Sequence, residues 1–184
     1  MRTYTHQQQQ GGDWCGNACM AMIYARHNIN IKQADIFNFF RKGNLICAEV
    51  AGHLQHVGGL HTAVIKIKDI KKCLTFVQEN DMDIIMNHKS ASAPTAHFTL
   101  FDRLENKTVY GHDPYKQDDF PVPLSKLIKL WERNDKLQYN LVAGNVGIVV
   151  SKDIAPLQKL LFESGIVEDI LCINTDRWLV QLTT

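Results

Sequence analysis

No apolar run in the 184 residues approaches the ~20 needed to cross a bilayer. The N-terminus, "MRTYTHQQQQGGD", lacks the apolar stretch of a secretory signal. These absences predict a cytoplasmic protein, or one exported by a specialised route. Charge of one sign is also scarce. Twenty Lys and Arg against nineteen Asp and Glu leave a formal net charge of +1, which gives no electrostatic reason to expect a nucleic acid or membrane partner. There is no CxxC and the five cysteines are an odd number, so the chain does not read as a disulfide framework. Cys47, Cys73 and Cys172 sit among apolar neighbours and read as small buried hydrophobes. No HExxH signature is present. The nearest thing to a metal set is His53, His56 and His61 with Cys47, and those histidines read as helix and loop residues. No metal or cofactor is expected.

What is present is a globular composition, 45% apolar and 21% charged, with a change of texture along the chain. The first half is helical. Ala18, Ala21, Met22 and Ala25 form one apolar stripe on a helix from Cys15 to His27, with Asp13 placed to cap it. A second helix is predicted over 32–41 with Ala34, Phe37 and Phe40 or Phe39 inward. A third covers 49–56 and stops at Gly58-Gly59, and a fourth runs through "IKDIKKCLTFVQEN". The second half is strand-rich: "DIIMNH", a small-residue loop "SASAPTA", "HFTLFDRL", "VGIVVS", "VEDILCI" and "RWLVQL". Helices interrupt it at "PLSKLIKLWER" and at "APLQKLLFES", the latter starting at Pro156. Helices first and strands later predict an α+β fold. The expected division is a core over 1–139 and a C-terminal extension over 140–184 packed on the same domain.

Two stretches carry chemistry. The first is "QQQQGGDWCGNAC". A thiol at a helix N-terminus faces the positive end of the dipole and unpaired backbone N–H groups, which favour the thiolate. Gly16 lets a substrate carbonyl come close, the Cys15 N–H offers one oxyanion donor, and a glutamine amide upstream offers a second. Any of Gln7, Gln8, Gln9 and Gln10 can be that glutamine; Gln9 lies six residues before Cys15, across Gly11 and Gly12. The second stretch is "HFTLFDRLENKTVYGHDP". A three-residue turn over Leu104, Glu105 and Asn106 pairs Arg103 with Lys107 and sets His97 directly opposite Asp113. A one-residue slip puts His112 there instead. A carboxylate beside His97 fixes its tautomer and favours the imidazolium.

These residues together resemble the double-glycine cysteine peptidases, papain-like domains known at the front of bacteriocin-exporting ABC transporters. "QQGGDWCGNACMAM" and "AHFTLFDRLENKTVYGHDPY" carry the resemblance, which spans about residues 5–130. It implies a papain-like α+β fold, with a helical subdomain carrying the nucleophile and an antiparallel sheet carrying His and Asp. It implies Gln9 as oxyanion residue, Cys15 as nucleophile, His97 as general base and acid, and Asp113 as its orienting carboxylate. Trp14, Gly16 and Asn17 are expected to bind substrate, a protein or peptide cut after a Gly-Gly pair. Trp14 stands where the family places a carboxylate next to the cysteine. No transporter segment is visible, so a free-standing enzyme is expected. The alternatives are a secreted effector or toxin of the same fold, cleaving or deamidating a target-cell protein and matched by an inhibitory or immunity protein, and a catalytically inactive binding module.

Overall fold

The computed structural model describes residues 4–89, 96–116, 119–132 and 144–174. Their order is α1 (Cys15–Arg26), α2 (Gln33–Phe40), α3 (Cys47–His56), β1 (His61–Ile67), α4 (Ile70–Glu79), β2 (Asp83–Lys89), β3 (Ala96–Glu105), β4 (Thr108–His112), β5 (Asp119–Pro123), α5 (Leu124–Glu132), β6 (Val146–Ser151), α6 (Ile154–Gln158, continued by a π-helical turn to Glu163) and β7 (Val167–Asn174). The seven strands form one antiparallel sheet in the order β5-β4-β3-β2-β6-β1-β7. This is the expected α+β, papain-like architecture. The loop "SASAPTA", the strand "RWLVQL" and the 139/140 boundary lie outside the described residues.

Alternating side chains of the central strands feed two cores, one on each face of the sheet. Ile85, Leu100, Ile148 and Val150 face α1, α2 and α3, while Ile84, Met86, Ile65 and Val149 face α4, α5 and α6. The helix α1 is not amphipathic in the expected way. Every residue from Gly16 to Tyr24 is buried, so it runs through the protein as a central helix. Its side-chain cap is also absent: Trp14 occupies the N-cap and Asp13 makes no capping bond. The helix ends where Asn28 turns left-handed (φ 58°) and the Ile29 N–H reaches back to the Tyr24 carbonyl at 2.8 Å.

The inward face of α2 is Gln33 and Ile36, with Phe37 and Phe40 half-buried; Ala34 and Phe39 lie outside. Two strands were not foreseen. β1 lies in a stretch to which the sequence reading gave no element, and β5 is an edge strand whose Pro121 and Pro123 are tolerated because one side needs no ladder. β6 lies between β2 and β1, so the segment expected to be an extension supplies a central strand. Near the far end of α1, the fully buried Asp83 carboxylate holds Arg26 at 2.6 Å, His27 at 2.8 Å and the Tyr4 hydroxyl, tying the N-terminal segment to β2. No described helix is long and apolar enough to cross a membrane.

Candidate active site

Asp113 and His97 meet by a route different from the expected register. The turn is tighter than predicted: Glu105 pairs with Thr108, and Asn106 and Lys107 both take left-handed φ (48° and 65°), a type I′ turn. Carried on unbroken, that ladder sets Asp113 opposite Leu100, facing away from His97. A bulge at Asp102 shifts the pairing by one, to Phe101 with Gly111 and Leu100 with His112. Extended past the end of β4, the shifted register returns Asp113 to the face of His97, two residues from directly opposite. Their side chains close that diagonal: His97 Nε2 lies 2.6 Å from Asp113 Oδ1. His112 is not the partner. It packs against the rings of Tyr4 and His6.

The Tyr115 N–H also donates to Asp113 Oδ1, at 3.0 Å. With Nε2 engaged by Asp113, the other ring nitrogen of His97 is the one left for Cys15, with which His97 also forms a hydrogen bond. Burial disfavours the charged ring, but the hydrogen bonds to Asp113 and Cys15 and the electrostatic interaction with both groups outweigh it and raise the His97 pKa to about 9. Asp113 is the counterpart. Burial pushes its carboxyl up, and the His97 hydrogen bond and charge, with help from Tyr115 and Lys116, bring it below the usual carboxylate range. The His97 ring is therefore biased towards its charged form and fixed in orientation by a buried carboxylate.

Cys15 is the first residue of α1, so its N–H belongs to the turn that lacks an intrahelical acceptor. One turn on, Cys19 is fully buried. Burial, and then the electrostatic influence of the nearby Cys15 and Asp113, hold its thiol well above its ordinary value. Burial likewise pushes Cys47 to about 11 and Cys73 to about 12. Cys15 differs from these three in lying at the helix N-terminus beside His97, and it is only half-buried.

Gln9 lies beside this group. Its backbone N–H donates to the Pro114 carbonyl at 2.9 Å, one residue beyond Asp113. Its side-chain Nε2 donates to the Gly11 and Gly12 carbonyls, each at 2.8 Å, while Oε1 is buried and unpaired. Both amide protons are thus engaged in the resting loop. Gly11 serves the neighbouring tryptophan: a Cβ there would lie 2.6 Å from the Trp14 ring, which stacks on Phe37 at 4.4 Å. Of the residues expected to bind substrate, Trp14 is half-exposed, Gly16 packs against Phe98 and Val50, and Asn17 has no exposed surface.

Sequence reasoning missed Gln33, which is buried and holds the glutamine run. Its signal was a polar residue at the inward position of a short amphipathic helix. Of the histidines considered for metal, His53 is otherwise occupied: it is buried with Nδ1 2.6 Å from the Tyr24 hydroxyl. Among the described residues no group of three or more His, Cys, Asp or Glu is placed to hold a metal ion.

The profile of the peptidase C39 family matches residues 2–135. No curated protein matches the chain. Solved structures share its fold. A C39-like peptidase from Bacillus anthracis superposes with a TM-score of 0.65 at 14% identity, covering 83% of this chain and 96% of its own. The peptidase domain of Streptococcus ComA, a bifunctional ABC transporter of a quorum-sensing pathway, gives 0.59 at 14%, covering 82% and 100%. A double glycine motif protease from an AMS/PCAT transporter, solved with its leader peptide, gives 0.58 at 13%, covering 83% and 94%. With a family match over most of its length, the chain belongs to the peptidase C39 family and is a cysteine peptidase.

Proposed function

We propose that Cys15, His97, Asp113 and Gln9 form a papain-type reaction centre that hydrolyses a peptide bond following a Gly-Gly pair. The observation that carries this reading is the buried 2.6 Å bond between His97 and Asp113, on a ring that also bonds Cys15. The Cys15 thiolate attacks the carbonyl carbon and a C–S bond forms. The Cys15 N–H and the Gln9 amide hold the resulting oxyanion. His97 passes its proton to the amine as the C–N bond breaks, leaving a thioester. His97 then takes a proton from water, which attacks the thioester and releases the acid, returning Cys15 as thiolate. Asp113 holds the ring through both halves. Gln9 enters this scheme by exchanging its bonds to the Gly11 and Gly12 carbonyls for the oxyanion. The Gly-Gly preference is supported by the shared fold with a double glycine motif protease bound to a leader peptide.

The test is digestion of a candidate proteome by wild type and Cys15→Ala, read by N-terminal mass spectrometry. New termini after Gly-Gly that vanish in the variant support the reading. Glutamines gaining about 1 Da without new termini indicate deamidation through the same thioester, and identical digests contradict the assignment of Cys15.

A further inference from the structure

Gln33 opens α2 and is 2% exposed, a position where a polar side chain is costly unless its hydrogen bonds are made. They are made, and all to one segment. Nε2 donates to the Gln8 carbonyl at 3.0 Å and lies 3.4 Å from Gln7 Oε1, while Oε1 accepts from the Gln10 N–H at 3.1 Å. The Gln8 carbonyl and the Gln10 N–H flank Gln9. In extended chain these two groups point to one edge and those of the residue between them to the other. The Gln9 N–H follows that rule and donates to the Pro114 carbonyl at 2.9 Å. The segment bearing Gln9 is therefore strung between a side-chain amide of α2 on one edge and the Asp113 loop on the other. The Gln33 carboxamide stands in for a peptide group of a neighbouring strand.

We propose that Gln33 is a positioning residue for the oxyanion site, fixing the Gln9 backbone so that the amide reaches the oxyanion by side-chain rotation alone. The inference rests on the reading of Gln9 and Cys15 given above. An oxyanion donor acts only within about 2.7–3.1 Å of the developing charge, and a displacement of about 1 Å is costly. In the resting protein the Gln9 amide is committed to Gly11 and Gly12. With its backbone held at Gln8, Gln9 and Gln10, releasing those two bonds moves one side chain. Without Gln33, one edge of the segment is untethered and the donor is delivered by a loop of variable position.

The test compares wild type, Gln9→Ala, Gln33→Met and the double variant on the peptide that wild type cuts fastest in the digest above. Methionine is of similar size and removes all three bonds. Each variant is also tested for alkylation of Cys15 by iodoacetamide, which needs the thiol and His97 but no oxyanion donor. Gln33→Met is expected to lose roughly 10- to 100-fold in kcat, with KM and the alkylation rate within about threefold of wild type. The double variant is expected to be no slower than Gln9→Ala.

A Gln33→Met enzyme with wild-type kcat overturns the proposal while Gln9→Ala remains slow. So does a double variant whose losses multiply, or alkylation that falls in parallel with kcat, which marks a general structural defect. If Gln9→Ala itself turns over at the wild-type rate, the oxyanion reading fails first and takes Gln33 with it. Should Gln33→Met not fold, Gln33→Glu repeats the comparison, since it keeps the acceptor for the Gln10 N–H and loses the donor to the Gln8 carbonyl.

Discussion

At the scale of the residue, the proposed chemistry depends on one imidazole with two partners. Asp113 does more than orient His97, because it is a major source of the upward shift to about 9. Replacing it with asparagine keeps a hydrogen-bond acceptor and removes the charge, so burial regains weight and the His97 pKa falls. The imidazolium is the form present below that pKa, and its loss sets the alkaline limb of the reaction. The kcat/KM profile of wild type is expected to fall on an alkaline limb near pH 9. In Asp113→Asn that limb should move acidward by about one unit or more, with the plateau lowered about 100-fold. An unmoved limb contradicts the assignment. The same shift links to stability. Because the folded pKa exceeds the unfolded value of ~6.5, the His97 contribution is complete below that pH. It is lost as the pH rises through about 9.

At the scale of the element, the β3–β4 hairpin shows how local irregularities set a site. The type I′ turn at Asn106-Lys107 places two non-glycine residues at left-handed φ, a conformation costing about 1–2 kcal/mol per ordinary residue. Lys107→Gly is expected to raise the unfolding free energy by about 1 kcal/mol without altering kcat/KM, as measured by urea denaturation and steady-state assay. A destabilised Lys107→Gly places the strain elsewhere. The hairpin also marks where sequence reading stops. Its two strands, and the face shared by His97 and Asp113, were legible from alternation and from Pro114. The tight turn was not, because no glycine stands at 106 or 107, and neither was the Asp102 bulge that compensates for it. The two errors cancelled, which is why the correct pair emerged from an incorrect register. β5 was hidden by its prolines and β1 by the lysines at 66 and 68. The inward face of α2 was misassigned to phenylalanines because a buried glutamine contradicts a simple hydrophobic pattern.

At the scale of the whole molecule, the family match ends at residue 135 while the sheet does not. β6 separates β2 from β1, and every residue from Val146 to Ser151 is buried. Burying Val146, Ile148, Val149 and Val150 contributes roughly 6–12 kcal/mol of transfer free energy, comparable to the net stability of a whole domain at about 5–15 kcal/mol. The strand is tied to α5 as well, through Trp131 Nε1 and the Val146 carbonyl at 2.8 Å. A chain truncated at residue 135 is expected to lose its cooperative unfolding transition and its peptidase activity, as read by circular dichroism and assay. A folded, active 1–135 fragment contradicts this account of the sheet. The central claim, that Cys15 is the nucleophile held ready by His97 and Asp113, meets its most direct test in intact-protein mass spectrometry during turnover at acidic pH, where thioester hydrolysis is slow. The account predicts an acyl adduct confined to Cys15 by peptide mapping, absent in Cys15→Ala and strongly reduced in His97→Ala. Substrate cleavage by Cys15→Ala at the wild-type rate, or an adduct on another cysteine, contradicts it.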